Sequence, residues 1–263
     1  MCRILGYLGP QISLDRLVLE PEHSMLVQSY KPKELNSAVL NGDGFGLGWH
    51  AANQSEPFVY RNILPMWNDR SLDDLCRYIQ TTNFVVNLRS ATNKMPVDIS
   101  NCQPLKYGQM LFVHNGLIEN FFESIQRPIR QKLCDQAYRS IQGLTDSEHI
   151  FALLVHHLET QPGIDLAEAL HQTIKLLASM ANAAGVRIAA NIILSTPERL
   201  IALRYDNQQP APSLYLLKNS SRFPDSIILS SEGLFEDDWQ TFSQDELISI
   251  DSDRTIKSYA TID

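Results

Sequence analysis

No apolar run in this 263-residue sequence approaches the roughly 18 residues that a membrane-spanning helix requires. The opening decapeptide, MCRILGYLGP, lacks the cationic stretch, long apolar core and cleavage site of a secretory signal. Cations are in the minority: 22 Lys and Arg face 30 Asp and Glu, a formal net charge of −8. That balance argues against nucleic acid or an anionic membrane as a partner, since both are gripped by clustered Lys and Arg. The four cysteines, at 2, 76, 102 and 134, form no CxxC pair, so a zinc ribbon or a thioredoxin-type redox pair has no support. The seven histidines form no HExxH pattern and there is no GxSxG elbow. No metal and no cofactor is expected. Without an export signal the expected compartment is the cytoplasm, where thiols stay reduced.

What is present is ordinary globular material, 44% hydrophobic and 20% charged, enough for a substantial core and unlike a disordered or fibrous chain. Arg3–Leu8 reads as a strand ended by Gly9-Pro10, and Phe58–Asn62, Phe84–Arg89 and Gln109–His114 read as further strands. Ser71-Leu72-Asp73-Asp74 resembles a capping box before a helix carrying Leu72, Leu75, Cys76 and Ile79. Cys76 is then core filler. Thr145-Asp146-Ser147-Glu148 is a second capping box, followed by Ile150, Phe151, Leu154 and Leu158 on one helical face. Asp165 caps another helix, which Gly185 closes.

The rest is strand-like: Arg187–Ser195, Arg199–Tyr205, Leu214–Lys218, Ser226–Ser230, Leu247–Asp251 and Thr255–Thr261. Asp206–Ser213 reads as a hairpin loop rather than a linker. Strands at both ends with helices between them do not alternate βαβα, so the expected class is α+β with antiparallel sheets in one domain, residues 1–263.

Several residues carry chemistry, each with two readings. The run Asn41–Trp49 holds glycines at 42, 44, 46 and 48. It fits neither GxGxxG nor a phosphate loop, but alternate glycines bare one strand face for a close neighbour. His114-Asn115-Gly116 is either an Asn-Gly turn or, at a strand end, an amide and a backbone N–H aimed at one oxygen, as an oxyanion hole requires. Arg89 is a surface charge or a fork for a carboxylate. Asp146 complements a helix dipole or pairs with a ligand ammonium. Cys2 is a chance terminal cysteine or, once Met1 is removed, a residue bearing both a thiol and a free α-amine.

Taken in order, Met1-Cys2-Arg3, Asn41–Gly46 with Gly48-Trp49, Arg89-Ser90-Ala91-Thr92, His114–Asn120 and Thr145–Glu148 resemble the class II glutamine amidotransferase domain of the N-terminal-nucleophile hydrolases. The resemblance implies a four-layer αββα sandwich. It implies that Cys2 is the nucleophile with its own α-amine as base, and that Asn115 and the Gly116 N–H hold the oxyanion. Arg89 would clamp an α-carboxylate and Asp146 an α-ammonium, with Ser90, Thr92 and His114 completing the substrate site.

MCRILGYLGP, Leu26–Tyr30, Asn101–Leu105 and Asp146–His149 are further similar to the ergothioneine-pathway γ-glutamyl amidohydrolase subgroup; Ser231-Glu232-Gly233-Leu234 departs from its Ser-Glu-Pro-Leu. The implied partner is a small-molecule γ-glutamyl substrate. An ammonia-supplying glutaminase beside a separate synthetase chain, a γ-glutamyl peptide hydrolase beside a peptidase, a homo-oligomer and a non-catalytic binding protein stay open as alternatives.

Overall fold

Apolar side chains alternate along the inner strands, so that β1, β4, β6 and β7 each feed two cores. A computed structural model describes residues 2–34, 40–91 and 95–259. In chain order its strands are β1 (Arg3–Ser13), β2 (Phe45–Trp49), β3 (Phe58–Asn62), β4 (Gln80–Leu88), β5 (Leu105–Tyr107), β6 (Met110–Ile118) and β7 (Ile188–Thr196). There follow β8 (Arg199–Asp206), β9 (Tyr215–Lys218), β10 (Ile227–Ser230), β11 (Gln240–Thr241), β12 (Glu246–Asp251) and β13 (Ile256–Ser258). The helices are α1 (Asp15–Val18), α2 (Met25–Tyr30), α3 (Leu72–Tyr78), α4 (Gln126–Lys132), α5 (Asp135–Ser140), α6 (Asp146–Thr160) and α7 (Leu166–Ala184).

Seven strands form one antiparallel sheet in the order β11-β9-β10-β1-β4-β2-β3, and six form a second in the order β13-β12-β8-β7-β6-β5. Ile4 and Leu8 of β1 meet Val85, Leu111, Val113, Ile193 and Leu200 in a core between the sheets. The alternate residues Leu5 and Tyr7 pack outward with Leu17, Met25, Leu72 and Cys76 of α1, α2 and α3. On the far side Phe112, Ile192 and Leu194 pack against Ile150, Leu154, Leu170 and Leu177 of α6 and α7. Three apolar layers therefore separate four layers of structure, an αββα sandwich as expected.

α6 and α7 begin where the caps predict. The Thr145 hydroxyl accepts from the Glu148 N–H at 3.2 Å, and Asp165 accepts from the Ala167 N–H at 2.9 Å. Gly185 adopts the left-handed conformation that ends α7.

Other expectations need correction. β1 does not stop at Gly9-Pro10; its register with β4 shifts between Leu8 and Ile12, so the pair sits in a bulge and the strand runs on to Ser13. Ser71 makes no side-chain cap; its own N–H is taken by Asp69 Oδ1 at 3.0 Å. The box at Thr145 is half formed, because Glu148 turns away to accept the N–H groups of Gln142 (2.6 Å) and Gly143 (2.7 Å). Asp206–Ser213 is no hairpin loop. β8 is already flanked by β7 and β12, so the chain must cross to the other sheet to begin β9. His114-Asn115-Gly116 lies within β6, paired with Ile192, Asn191 and Ala190 of β7, which removes the Asn-Gly turn. The last expected strand shortens to Ile256–Ser258, and Thr261 lies outside the described residues.

Candidate active site

β1 is an inner strand, held by β10 on one side and β4 on the other. Cys2 stands at its start, in phase with Ile4 and so directed between the sheets. It lines a cavity of about 220 Å³ together with Arg89, Ser90, His114, Gly116 and Asp146. Six of the residues singled out in the sequence thus meet at one place, drawn from four separate stretches of chain. Thr92 lies outside the described residues, as does Met1.

Arg89 directly follows β4 and is buried. Its Nη1 donates to the Asp43 carbonyl (3.2 Å) and its Nη2 to the Pro96 carbonyl (3.0 Å). Asp43 also receives the Ala91 N–H on its carboxylate at 2.7 Å, and Gly44 O accepts the Arg89 N–H at 2.9 Å. The glycine-rich run therefore serves as a clamp on the arginine. Gly46 shows why alternate glycines are needed: a Cβ there would land on the Gln103 carbonyl. Carbonyls fix the guanidinium without cancelling its charge, and among the described residues no carboxylate forms an ion pair with it.

Asp146 opens α6. Its Oδ2 accepts the Ile118 N–H (2.9 Å) and its Oδ1 the Ser147 N–H (2.7 Å), and no cationic side chain pairs with it among the described residues. The helix N-terminus favours the carboxylate. A buried cation and a buried anion thus face one small cavity, each held by neutral groups.

Along β6 the hydrogen-bonding phase matters. The His114 N–H goes to Gln103 Oε1 at 2.6 Å and the Ile118 N–H to Asp146, both away from β7, whereas the Glu119 N–H bonds Arg187 O. Gly116 shares the phase of 114 and 118, so its N–H faces the cavity it lines. A Cβ at Gly116 would collide with the Ala189 carbonyl. Asn115 is not on the cavity lining. Its side chain points between the sheets, in phase with Val113, and both its amide atoms are buried without a partner among the described residues. A buried amide left unpaired costs about 1–3 kcal/mol, which a site repays only if a ligand supplies the partner.

His114 is braced by protein on both ring nitrogens. Nδ1 lies 2.8 Å from Ser147 Oγ and Nε2 lies 3.3 Å from the Ala189 carbonyl. The carbonyl can only accept, so Nε2 carries the proton and Nδ1 accepts. Burial holds the ring pKa below its ordinary value, against the pull of Asp146. The ring is a neutral brace between β6 and α6.

Burial pushes the Cys76 thiol up to about 12 and raises that of Cys102 as well. Neither suits a thiolate nucleophile.

Sequence reasoning gave no chemical role to Asn101 or Gln103, yet both line the cavity. Gln103 pairs with the His114 backbone, donating from Nε2 to its carbonyl at 3.3 Å, and so extends the sheet edge beyond β5. Asn101 accepts the Leu144 N–H at 2.9 Å and donates to Pro96 O at 3.1 Å, joining the Arg89 loop to the approach to α6. Their only sequence signal is the short stretch Asn101–Leu105.

A family model described as glutamine amidotransferases class-II matches residues 23–249. The chain is 29% identical over 238 residues to a γ-glutamyl-hercynylcysteine sulfoxide hydrolase of Mycobacterium tuberculosis, covering 90% of this chain and 87% of that protein. A protein of the same name from Mycolicibacterium smegmatis is 28% identical, with 95% of this chain and 96% of that one covered. Among solved structures, a glutamine aminotransferase class-II domain protein from Silicibacter pomeroyi superposes with a TM-score of 0.71 at 22% identity, over 98% of this chain and all of the other.

Proposed function

The chain belongs to the class II glutamine amidotransferases, and on that footing we propose that it is a γ-glutamyl amidohydrolase with Cys2 as nucleophile. The observation that carries the reading is the pair of uncompensated charges, Arg89 and Asp146, facing the cavity that Cys2 also lines. A zwitterionic amino-acid head satisfies both, its carboxylate on the arginine fork and its ammonium on the aspartate. At about 220 Å³ the cavity is smaller than the roughly 300 Å³ at which pockets for drug-sized ligands begin, and suits such a head group alone.

With the head so placed, the side-chain amide carbonyl reaches Cys2. The α-amine of a processed Cys2, with a reference pKa of about 7.7–8.0, takes the thiol proton through a water. A bond forms between Sγ and the carbonyl carbon, and Asn115 Nδ2 and the Gly116 N–H hold the resulting oxyanion. The C–N bond then breaks as the leaving amine takes the proton. Water attacks the thioester, releases glutamate and restores the thiol.

The curated relatives guide the choice of conjugate. In this reading the physiological substrate is a γ-glutamyl hercynylcysteine sulfoxide of ergothioneine biosynthesis, cleaved in the cytoplasm by one catalytic domain that begins at Cys2 once Met1 is removed.

Cys2→Ala should abolish glutamate release while leaving the circular dichroism spectrum unchanged; undiminished turnover would sink the reading. The intact mass of the active protein should show Cys2 as the first residue. Strong preference for glutamine over the sulfoxide conjugate would instead point to an ammonia-supplying role.

A further inference from the structure

A second and larger cavity, of about 730 Å³, opens on the other side of Cys2. The strand order locates it. In the seven-stranded sheet the first cavity draws on residues just after β4, on one side of β1, whereas the second draws on Ser213 and Tyr215 beside β9, beyond β10 on the other side. In the six-stranded sheet the first uses β6 and the second uses Arg187, just before β7, and Arg204 of β8. Leu117 lines both, and Arg3, the neighbour of Cys2, lines the second. A substrate whose head lies against Arg89 and Asp146, with its scissile bond at Cys2, must send its other half this way.

The lining is cationic. Among the described residues, Arg3, Lys33, Arg187 and Arg204 face one carboxylate, that of Glu34. Two of the four are neutralised. Arg187 grips Asp206 through Nε and Nη2, the latter at 2.7 Å, and Arg3 Nε pairs with Glu232 at 2.7 Å. Two are not. Arg204 donates to the carbonyls of Pro212, Phe242 and Ala211 at 2.7–2.8 Å, which engages each of its three nitrogens and leaves its charge. The Lys33 ammonium makes no hydrogen bond or ion pair among the described residues. In addition, Nη2 of Arg3 is buried without a partner, although Arg3 as a whole is only 1% exposed. A donor kept dry and unpaired beside surplus positive charge is the arrangement that receives an anion.

We propose that this second cavity is the subsite for the amine half of the substrate, and that it selects an amine bearing a carboxylate. The inference rests on the assignment of Cys2 as nucleophile and deepens it. The substrate is then a γ-glutamyl amino acid or a larger conjugate built on one, and glutamine, whose leaving group is ammonia, leaves this cavity unused. Glu34 is tied to the Tyr215 hydroxyl at 2.9 and 3.0 Å, which holds this opposing charge in place.

The test compares γ-glutamylglycine with γ-glutamylglycinamide, two substrates that differ only in the charge on the leaving amine. The wild-type protein should favour the acid in kcat/KM by about tenfold or more, the size of one charge-assisted hydrogen bond. Lys33→Ala should bring the ratio toward one, and Lys33→Glu should invert it. Equal kcat/KM for the two substrates, or an acid preference untouched by Lys33→Glu, overturns the subsite while leaving the nucleophile assignment standing. Absence of turnover on both substrates and on glutamine overturns the two together. The same preference should appear as tighter binding of the acid to Cys2→Ala in calorimetry, a readout independent of turnover.

Discussion

Lysine at position 89 would keep a positive charge but lose the planar fork that two carbonyls now hold in place. Arg89→Lys is therefore expected to raise KM for γ-glutamyl substrates about tenfold or more, and to change little for analogues lacking the α-carboxylate. Equal losses on both would contradict the assignment. Asn115 gives a prediction of opposite signs. Its buried, unpartnered amide costs stability in the free protein, so Asn115→Ala should lower kcat by roughly 100- to 1000-fold without lowering the melting temperature. Parallel losses of activity and melting temperature would mark Asn115 as structural. At this scale the charged residues were legible, because Arg89 and Asp146 stand at the edges of recognisable elements. Asn101 and Gln103 were not, since neutral amides in a loop have no periodicity and their meaning comes from partners in other segments of the chain, such as Leu144 and His114.

Among the elements, α6 matters most to the site, because its first residue is Asp146 and its second braces His114. The Thr145 hydroxyl caps it, and Thr145→Ala should cost about 1 kcal/mol in chemical denaturation and raise KM by loosening Asp146. Thr145→Ser should restore both. A stability loss with unchanged KM would separate the cap from the site. The caps and 3.6-residue periodicities of α6 and α7 were readable because they are local. The end of β1 was not, because whether Gly9-Pro10 stops a strand or sits in a bulge depends on β4, about seventy residues on. The course of the chain after β8 was hidden for a similar reason: a turn-rich octapeptide looks the same whether it joins two strands of one sheet or passes between two sheets. Asn115-Gly116 carries a strong short-range hairpin signature, yet its pairing with Asn191 and Ala190 overrides it.

For the whole molecule, the buried titrating groups act in concert. Burial holds His50 and His149 at about 4 despite hydrogen bonds to Ser195 and Thr145. An unfolded imidazole titrates near pH 6.5, so between about 6.5 and 4 the unfolded chain binds more protons and acid weakens the fold. Burial also opposes the charge on Glu232, but hydrogen bonds from His23 and the Lys33 and Glu34 N–H groups, with the charge of Arg3, outweigh it and bring that carboxyl down to about 2. Its stabilisation, fully present above about pH 4.5, is lost as the pH falls toward 2. The melting temperature should hold near neutrality, begin to fall near pH 6.5 and fall further below 4.5. A flat profile from pH 7.5 to 4 would exclude buried neutral histidines. The antiparallel α+β class could be read from strands at both ends of the chain with helices between, whereas the four layers were implied only by the family resemblance. The Arg3–Glu232–His23 cluster could not, since its members are scattered over some 230 residues.

That separation has a consequence in time. Leu5 pairs with Ser230, and Arg3 pairs with Glu232. At a synthesis rate of roughly 5–20 residues per second, roughly 10 to 50 s pass before the chain contains the partners that close over its own beginning. The ribosome thus delivers this inner strand first and leaves one of its edges unpaired nearly to the end. Through that interval β1 has β4 as a neighbour but not yet β10, so the sheet around the start of the chain closes only as synthesis ends.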